Sequence, residues 1–228
     1  ASHGGRLVLL DINADGLERL VESLPSGISV KSVGDASIPV DVDNAISAGV
    51  NAFGTVDGAV HAAYPRSAGW GTPFEQLTPE HLFEDLSRQL GGAILFSQRV
   101  LLFFKENSHG TLIHLSSIQG LAAPKFDHYE STEMVSPIEY TAIKHGVVGL
   151  TRYLAKYYAG MGIRVNCVSP GGIKDNQPQV FQERYRTSCN AKGLLEAPDI
   201  AGAVTFLLGP ASILINGQNI IVDDGWSL

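Results

Sequence analysis

Tyr140 and Lys144, in the run Tyr140-Thr-Ala-Ile-Lys144, are the residues whose types and spacing point most directly to chemistry. On a helix, positions four apart share one face, so the phenol and the ammonium can enter one site. Such a pair suits a proton moving to or from an alcohol oxygen near neutral pH. A tyrosine of pKa ~10 works as a base only when a nearby cation stabilises its phenolate. Of the seven tyrosines, only Tyr140 has a lysine four residues on. A surface tyrosine and lysine sharing a helix face by chance would have the same spacing. Upstream, Leu115-Ser116-Ser117-Ile118-Gln119-Gly120 places two hydroxyls at the C-terminal end of an apolar run. In open α/β sheets that edge is where ligands bind. A hydroxyl there can donate to a carbonyl oxygen and hold it against the tyrosine; the alternative is a pair of serines that merely cap the strand end.

The flanking pattern supplies the elements that would position these groups. Arg6 to Leu10 reads as a buried parallel strand ending at Asp11, and residues 14 to 24 follow with Leu17, Leu20, Val21 and Leu24 on one helical face. Ile28 to Val33 is a weaker alternating run, and Ser37 to Asp41 leads to a helix expected to begin near Asn44. Gly58 to Ala63 suits a central strand, residues 79 to 104 a long helix containing Gly91-Gly92, and Thr111 to Leu115 another strand. A loop from Ile118 to Pro137 leads to a helix from about Glu139 to Tyr158, stopped by Gly160-Met-Gly162. The strand Ile163 to Val168, stopped by Pro170-Gly171-Gly172, is followed by a polar segment from Lys174 to Asn190. A helix from near Pro198 and a strand from Asn219 to Val222 complete the pattern. Strands alternating with helices of this length predict one α/β domain, a doubly wound parallel sheet with helices on both faces.

Composition narrows the function classes. Sixteen Lys and Arg against 23 Asp and Glu give a net charge of −7. With a pI near 5.4, that argues against nucleic acid as a partner, because a phosphate-backbone binder needs a basic face. No apolar run approaches the ~18–20 residues that span a bilayer, and no signal-peptide pattern opens the chain, so a cytoplasmic protein is expected. Cys167 and Cys189 provide neither a disulfide framework nor a CxxC site, and the seven histidines show no HExxH spacing, so no metal site is expected.

Together these residues resemble the short-chain dehydrogenase/reductase family over nearly the whole chain. Tyr140 and Lys144 fit the family's YxxxK. Ser117 fits its catalytic serine, which stands three residues before a glycine, here Gly120. Asn166-Cys-Val-Ser-Pro170-Gly171-Gly172-Ile173 fits the strand and Pro-Gly turn beside the nicotinamide, and Asn216 to Gly225 resembles the closing "itGq…vDGG" strand. The resemblance implies a Rossmann-type, NAD(P)-dependent oxidoreductase interconverting a secondary alcohol and a carbonyl on a small-molecule substrate. It also implies a homodimer or homotetramer, to which the small residues Ala142, Gly146 and Gly149 on the Tyr140 helix would give close helix contacts. A narrower resemblance, to the flagellin-modification oxidoreductases linked to bacterial surface-sugar synthesis, rests on four segments. These are Ala63-Tyr-Pro-Arg66, Ala123 to Tyr129, Gly171 to Pro178 and Val222 to Leu228.

Asp11, followed by Ile12, stands where the family meets the adenosine ribose. A carboxylate there accepts from both ribose hydroxyls and repels a 2′-phosphate, and no Arg or Lys follows from Ile12 to Glu18, so NAD is favoured over NADP. Asp11 can also serve as an N-cap for the following helix. Asp41-Val42 matches the family's adenine-edge pair. His61-Ala62-Ala63-Tyr64 replaces its Asn-Asn-Ala-Gly, which keeps the small residues but loses the amide; His61 reads as a satisfied buried histidine. Gln89 aligns with the asparagine of the family's proton relay, with helix packing as an equal alternative. The segments 118–137 and 174–195 are expected on the substrate side, the second as a movable lid. Lys125, Arg66, Arg184 and Arg186 could bind a substrate anion or be surface charges. A catalytically silent nucleotide sensor or scaffold of the same fold is the rival reading. The family's first strand and TGxxxGxG turn are not found, and Ala1 to Gly5 reads as the turn into its second strand. Roughly 25 to 30 upstream residues are therefore expected to complete a typical single domain.

Overall fold

The structure, a computed structural model, describes residues 4–228. The expectation placed on Ala1, Ser2 and His3 lies outside the described residues. Among the described residues six strands, all parallel, alternate with helices. β1 (Leu7–Asp11), α1 (Ala14–Glu22), β2 (Ser29–Val33) and α2 (Pro39–Phe53) come first. They are followed by β3 (Gly58–His61), α3 (Pro79–Asp85), α4 (Gly92–Glu106), β4 (Gly110–Leu115) and α5 (Ile138–Tyr157). β5 (Ile163–Pro170), α6 (Gln179–Thr187), α7 (Ala197–Leu208) and β6 (Asn219–Val222) close the order.

The strands form two ladders. β1 pairs with β2, and β3-β4-β5-β6 form the other sheet. Among the described residues no hydrogen-bonded ladder joins β1 to β3, so β1 is half-buried rather than the buried strand its composition predicts. Helix α2 and the core unite the two. Leu10 of β1 and Val42 of α2 pack with Phe96, Val100 and Phe104 of α4, Leu112 of β4 and Val165 of β5. The alternation of a strand sends neighbouring residues to opposite faces. Ile113 and Val168 accordingly face Ile200 and Leu207 of α7 on the other side. Helices thus cover both faces of the parallel sheet.

Helix α2 starts at Pro39, five residues before Asn44. Proline suits a helix's first turn because its missing N–H would be unpaired there anyway. Between α3 and α4 the chain does not break but widens into a π-helical turn, Leu86–Gly91, of the kind often found at functional sites. The expected polar loop before α7 contains α6, whose Phe181 and Tyr185 are buried one turn apart.

Candidate active site

Two cross-ties seat α5 on the end of β4. The Ser116 hydroxyl donates to the Lys144 carbonyl at 2.8 Å, and Lys144 Nζ donates to the Leu115 carbonyl at 3.2 Å. Gly120 closes over this joint; a Cβ there would lie 2.6 Å from Ser116 Oγ and 2.7 Å from the Lys144 carbonyl. Ser116 is therefore spent on structure, leaving Ser117 as the serine facing Tyr140. Ser117 Oγ also accepts the Gln119 N–H at 3.2 Å, so the strand-end cap is real as well. The Tyr140 pKa lies above the usual tyrosine value because burial disfavours the phenolate, with the Ser117 hydroxyl pulling the other way. Lys144 is pushed down to about 8 by burial. Its ammonium lies 5.4 Å from the Tyr140 ring centroid and 5.4 Å from that of Tyr64, over the rings. The sequence reading has Lys144 lowering the tyrosine pKa. In this structure burial outweighs any such effect, and the phenol is the neutral acid at pH 7.

An aromatic wall surrounds the phenol. Tyr64 and Trp70 lie edge-on to Tyr140 at 5.6 and 5.9 Å, and to each other at 5.4 Å. The loop bearing them is clasped to α3, where Asp85, 1% exposed, accepts the Ser67 N–H and hydroxyl, both at 2.7 Å. Gly69 lies against His81 so closely that a Cβ would meet its ring at 1.9 Å. Sequence reasoning missed Trp70, Ser67 and Asp85. Eighteen residues separate the clasp's partners, and no local periodicity links them.

Gln89, on the π-helical turn, is buried with neither amide atom hydrogen-bonded among the described residues, and Glu139 beside Tyr140 is buried with both carboxyl oxygens in the same state. Burial, with a contribution from Asp85, raises the Glu139 pKa.

His61 and His114 are register partners on β3 and β4. His61 packs on Phe96 and is held down at about 4 by burial and by Lys144. His114 bridges Ser97 of α4 and Thr151 of α5, each at 2.8 Å, and burial holds it near 3. His61 is thus a buried neutral ring, as its sequence context suggests, although rings rather than hydrogen bonds hold it among the described residues. Unfolded histidines titrate near 6.5. The unfolded chain therefore takes up protons first, and stability present above pH 6.5 is lost as pH falls towards 4. Each histidine contributes on the order of 3 kcal/mol to that loss, while Glu139, whose pKa burial raises, works the other way. Urea midpoints should fall steeply between pH 7 and 4.5, and His114→Gln should flatten that slope; a midpoint independent of pH would contradict the assignment.

The residues expected around a dinucleotide stand at the C-terminal ends of the parallel strands. Asp11 and Ile12, at the end of β1, are exposed. The N-cap of α1 is Asn13, whose Oδ1 accepts the Gly16 N–H, so the capping alternative for Asp11 is corrected. One Asp11 oxygen accepts the Asn13 N–H at 2.8 Å. Asp41 accepts the Asp35 N–H at 2.9 Å through one oxygen. Val42, 1% exposed, packs in the core beneath that edge instead of presenting an apolar face. Ala62 and Ala63 are exposed after β3. Pro170, Gly171 and Gly172 end β5, and the bridge between Ile173 and Leu195 uses the Gly172 carbonyl and the Lys174 N–H, leaving the Ile173 N–H out of it. An exposed carboxylate with one oxygen still open, small residues and glycine backbone at the C-terminal ends of the parallel strands fit a nicotinamide dinucleotide.

The 118–137 and 174–195 segments meet in one aromatic cluster. His128, Phe181, Tyr185 and Trp226 pack together, Tyr185 stacked on Trp226 and His128 edge-on to Phe181, and Lys125 donates to the Trp226 carbonyl at 3.0 Å while lying over its ring. Arg184 donates to the Asp127 and Glu130 carbonyls. Packing therefore anchors the segment read as a movable lid. Lys125 and Arg184 have structural partners, and of the four cations only Arg66, over the Tyr64 ring, adjoins the Tyr140 cluster. Among the described residues no helix is long and apolar enough to cross a membrane.

Comparison with known proteins identifies the family and the fold. The sequence model of the family described as Enoyl-(Acyl carrier protein) reductase matches residues 1–227. The chain is 40% identical to post-translational flagellin modification protein A of Campylobacter coli, over 98% of this chain and 89% of that protein. It is 29% identical to the levodione reductase of Leifsonia aquatica, over 100% of this chain and 86% of that one. A short-chain dehydrogenase from Leptospira borgpetersenii, solved with bound NAD+, superimposes with a TM-score of 0.82 at 27% identity, covering 98% of this chain and 93% of that one. The chain belongs to the short-chain dehydrogenase/reductase family, oxidoreductases acting on CH–OH groups.

Proposed function

We propose that the protein is an NAD(H)-dependent oxidoreductase that interconverts a secondary alcohol and a carbonyl on a small polar, sugar-derived substrate. The carrying observation is the meeting of Ser117, Tyr140 and Lys144 at the junction of β4 and α5. When bound, the nicotinamide supplies or accepts the hydride. Ser117 holds the substrate oxygen and stabilises charge on it. Tyr140, neutral here, donates its proton to that oxygen in the reduction direction and takes it back in oxidation. Lys144 holds the nicotinamide ribose and favours the phenolate when oxidation requires it. The Gln89 amide, with donor and acceptor both free, suits a water that passes the proton on. Preference for NAD rests on the exposed Asp11 carboxylate. Assembly as a homodimer or homotetramer is supported by exposed Ile94, Leu95 and Leu102 on α4 and by Ile138, Tyr153 and Tyr157 on α5. Gly146 also seats Leu90 of its own chain, where a Cβ would lie 2.8 Å from that side chain.

The test is reduced-nicotinamide absorbance with NAD+ or NADH across sugars, sugar nucleotides, polyols and acyl thioesters. Turnover on a polyol or sugar class supports the proposal. Dinucleotide binding without turnover on any class would favour the sensor reading.

A further inference from the structure

The Pro170–Ile173 turn contains two consecutive glycines, which have the most backbone freedom to lose on ordering. Three consecutive backbone groups anchor it, each to a different segment. The Gly171 N–H donates to the Val222 carbonyl at 2.8 Å, the Gly172 carbonyl accepts the Leu195 N–H at 2.8 Å, and the Gly172 N–H donates to the Tyr185 phenol oxygen at 2.6 Å. Only the last partner is a side chain. Tyr185 is 4% exposed and stacked on Trp226 with ring centroids 5.9 Å apart and planes 19° from parallel; Phe181 and His128 close its other sides. A Cβ on Gly171 would lie 3.0 Å from the Tyr185 oxygen, and one on Gly172 would lie 2.7 Å from Leu194 and 3.1 Å from the Tyr185 ring. The phenol therefore occupies the space that glycine leaves open in the turn. The Asp224 carboxylate of the C-terminal strap in turn holds the run leading to Leu195, accepting the N–H groups of Ala191, Lys192 and Gly193.

We propose that Tyr185 is a positioning residue for the nicotinamide half of the site, holding the Pro170–Ile173 turn through the Gly172 N–H and tying its geometry to the aromatic stack of α6, the 126–129 segment and Trp226. The proposal rests on the nicotinamide reading for what the turn binds, but not for the clasp itself. α6 and the C-terminal strap then form a fixed brace for the cofactor turn. The Ile173 N–H, which has no partner among the described residues, is presented correctly only while the phenol holds its neighbour.

The test compares the intact protein with its Tyr185→Phe variant, which deletes one oxygen and keeps the stacked ring. Two readouts are needed: amide hydrogen exchange at Gly172 without dinucleotide, and NADH affinity by fluorescence titration. Loss of one such bond should speed Gly172 exchange and raise the NADH Kd by roughly three- to tenfold, while Phe181 and Trp226 remain packed. Trp226→Tyr, which keeps an aromatic ring beside Tyr185, should retain most of the affinity. Unchanged exchange in Tyr185→Phe overturns the clasp, and faster exchange with unchanged NADH affinity overturns the positioning role. If the parent protein binds neither NADH nor NADPH, the nicotinamide reading and with it the positioning role fail, and Gly172 exchange still decides the clasp.

Discussion

Tyr140→Phe should lower kcat/KM at least ~10²-fold while NADH affinity stays within about twofold of the parent. The substitution removes only the phenol oxygen. The ring keeps its edge-on contacts with Tyr64 and Trp70 and remains under the Lys144 ammonium, so the wall and the α5–β4 joint should survive. What disappears is the group proposed to donate the proton to the substrate oxygen and accept it back. A positioned acid or base is typically worth ~10²–10⁴-fold, far more than a single packing contact at a half-buried ring. Because burial holds the phenol neutral, the loss should be seen first in the reduction direction, where the proton must be given. Residual turnover above roughly one per cent of the parent would remove Tyr140 from the acid–base role.

Asp11→Ser combined with Ile12→Arg should shift the ratio of kcat/KM for NAD to that for NADP by roughly 10²–10³-fold towards NADP. The argument is electrostatic. Both residues are exposed at the end of β1, and Asn13, not Asp11, caps the next helix, so the pair can change without unravelling α1. In the proposed NAD site the carboxylate would contribute charge-assisted hydrogen bonds to ribose hydroxyls, each about 1.5–3 kcal/mol, and repel a 2′-phosphate. The variant removes both effects and adds a guanidinium that pairs with phosphate in a forked geometry. Parallel titrations with the two reduced dinucleotides separate affinity from turnover. An unchanged preference would mean that the discriminating group lies elsewhere.

Local pattern carried much of this structure. The i, i+4 pair at Tyr140 and Lys144 lies on one helix, so its convergence follows from helical geometry alone. The strands were readable as short apolar runs closed by Gly, Pro or Asp. Choosing Ser117 over Ser116 needed the resemblance, and the structure supplies the physical reason: Ser116 is bonded to the Lys144 carbonyl. What was not legible depends on contacts distant in sequence. The polar run around α6 reads as a loop because only Phe181 and Tyr185 mark a buried face, and their partners His128 and Trp226 come from remote segments. The Asp85–Ser67 clasp and the Tyr185–Gly172 bond have no local signature either. Lys144 shows the same limit in electrostatics: spacing puts it near Tyr140, but only the structure shows the ammonium over the rings and on the Leu115 carbonyl.

The central claim is hydride transfer at the Ser117–Tyr140–Lys144 site. Its most direct test follows deuterium from nicotinamide-labelled NADH into a carbonyl substrate by mass spectrometry. The account predicts deuterium on the new carbinol carbon, one atom for each NADH consumed, with the transfer suppressed by Tyr140→Phe. NADH bound by the intact protein with its label retained against every carbonyl class would contradict it.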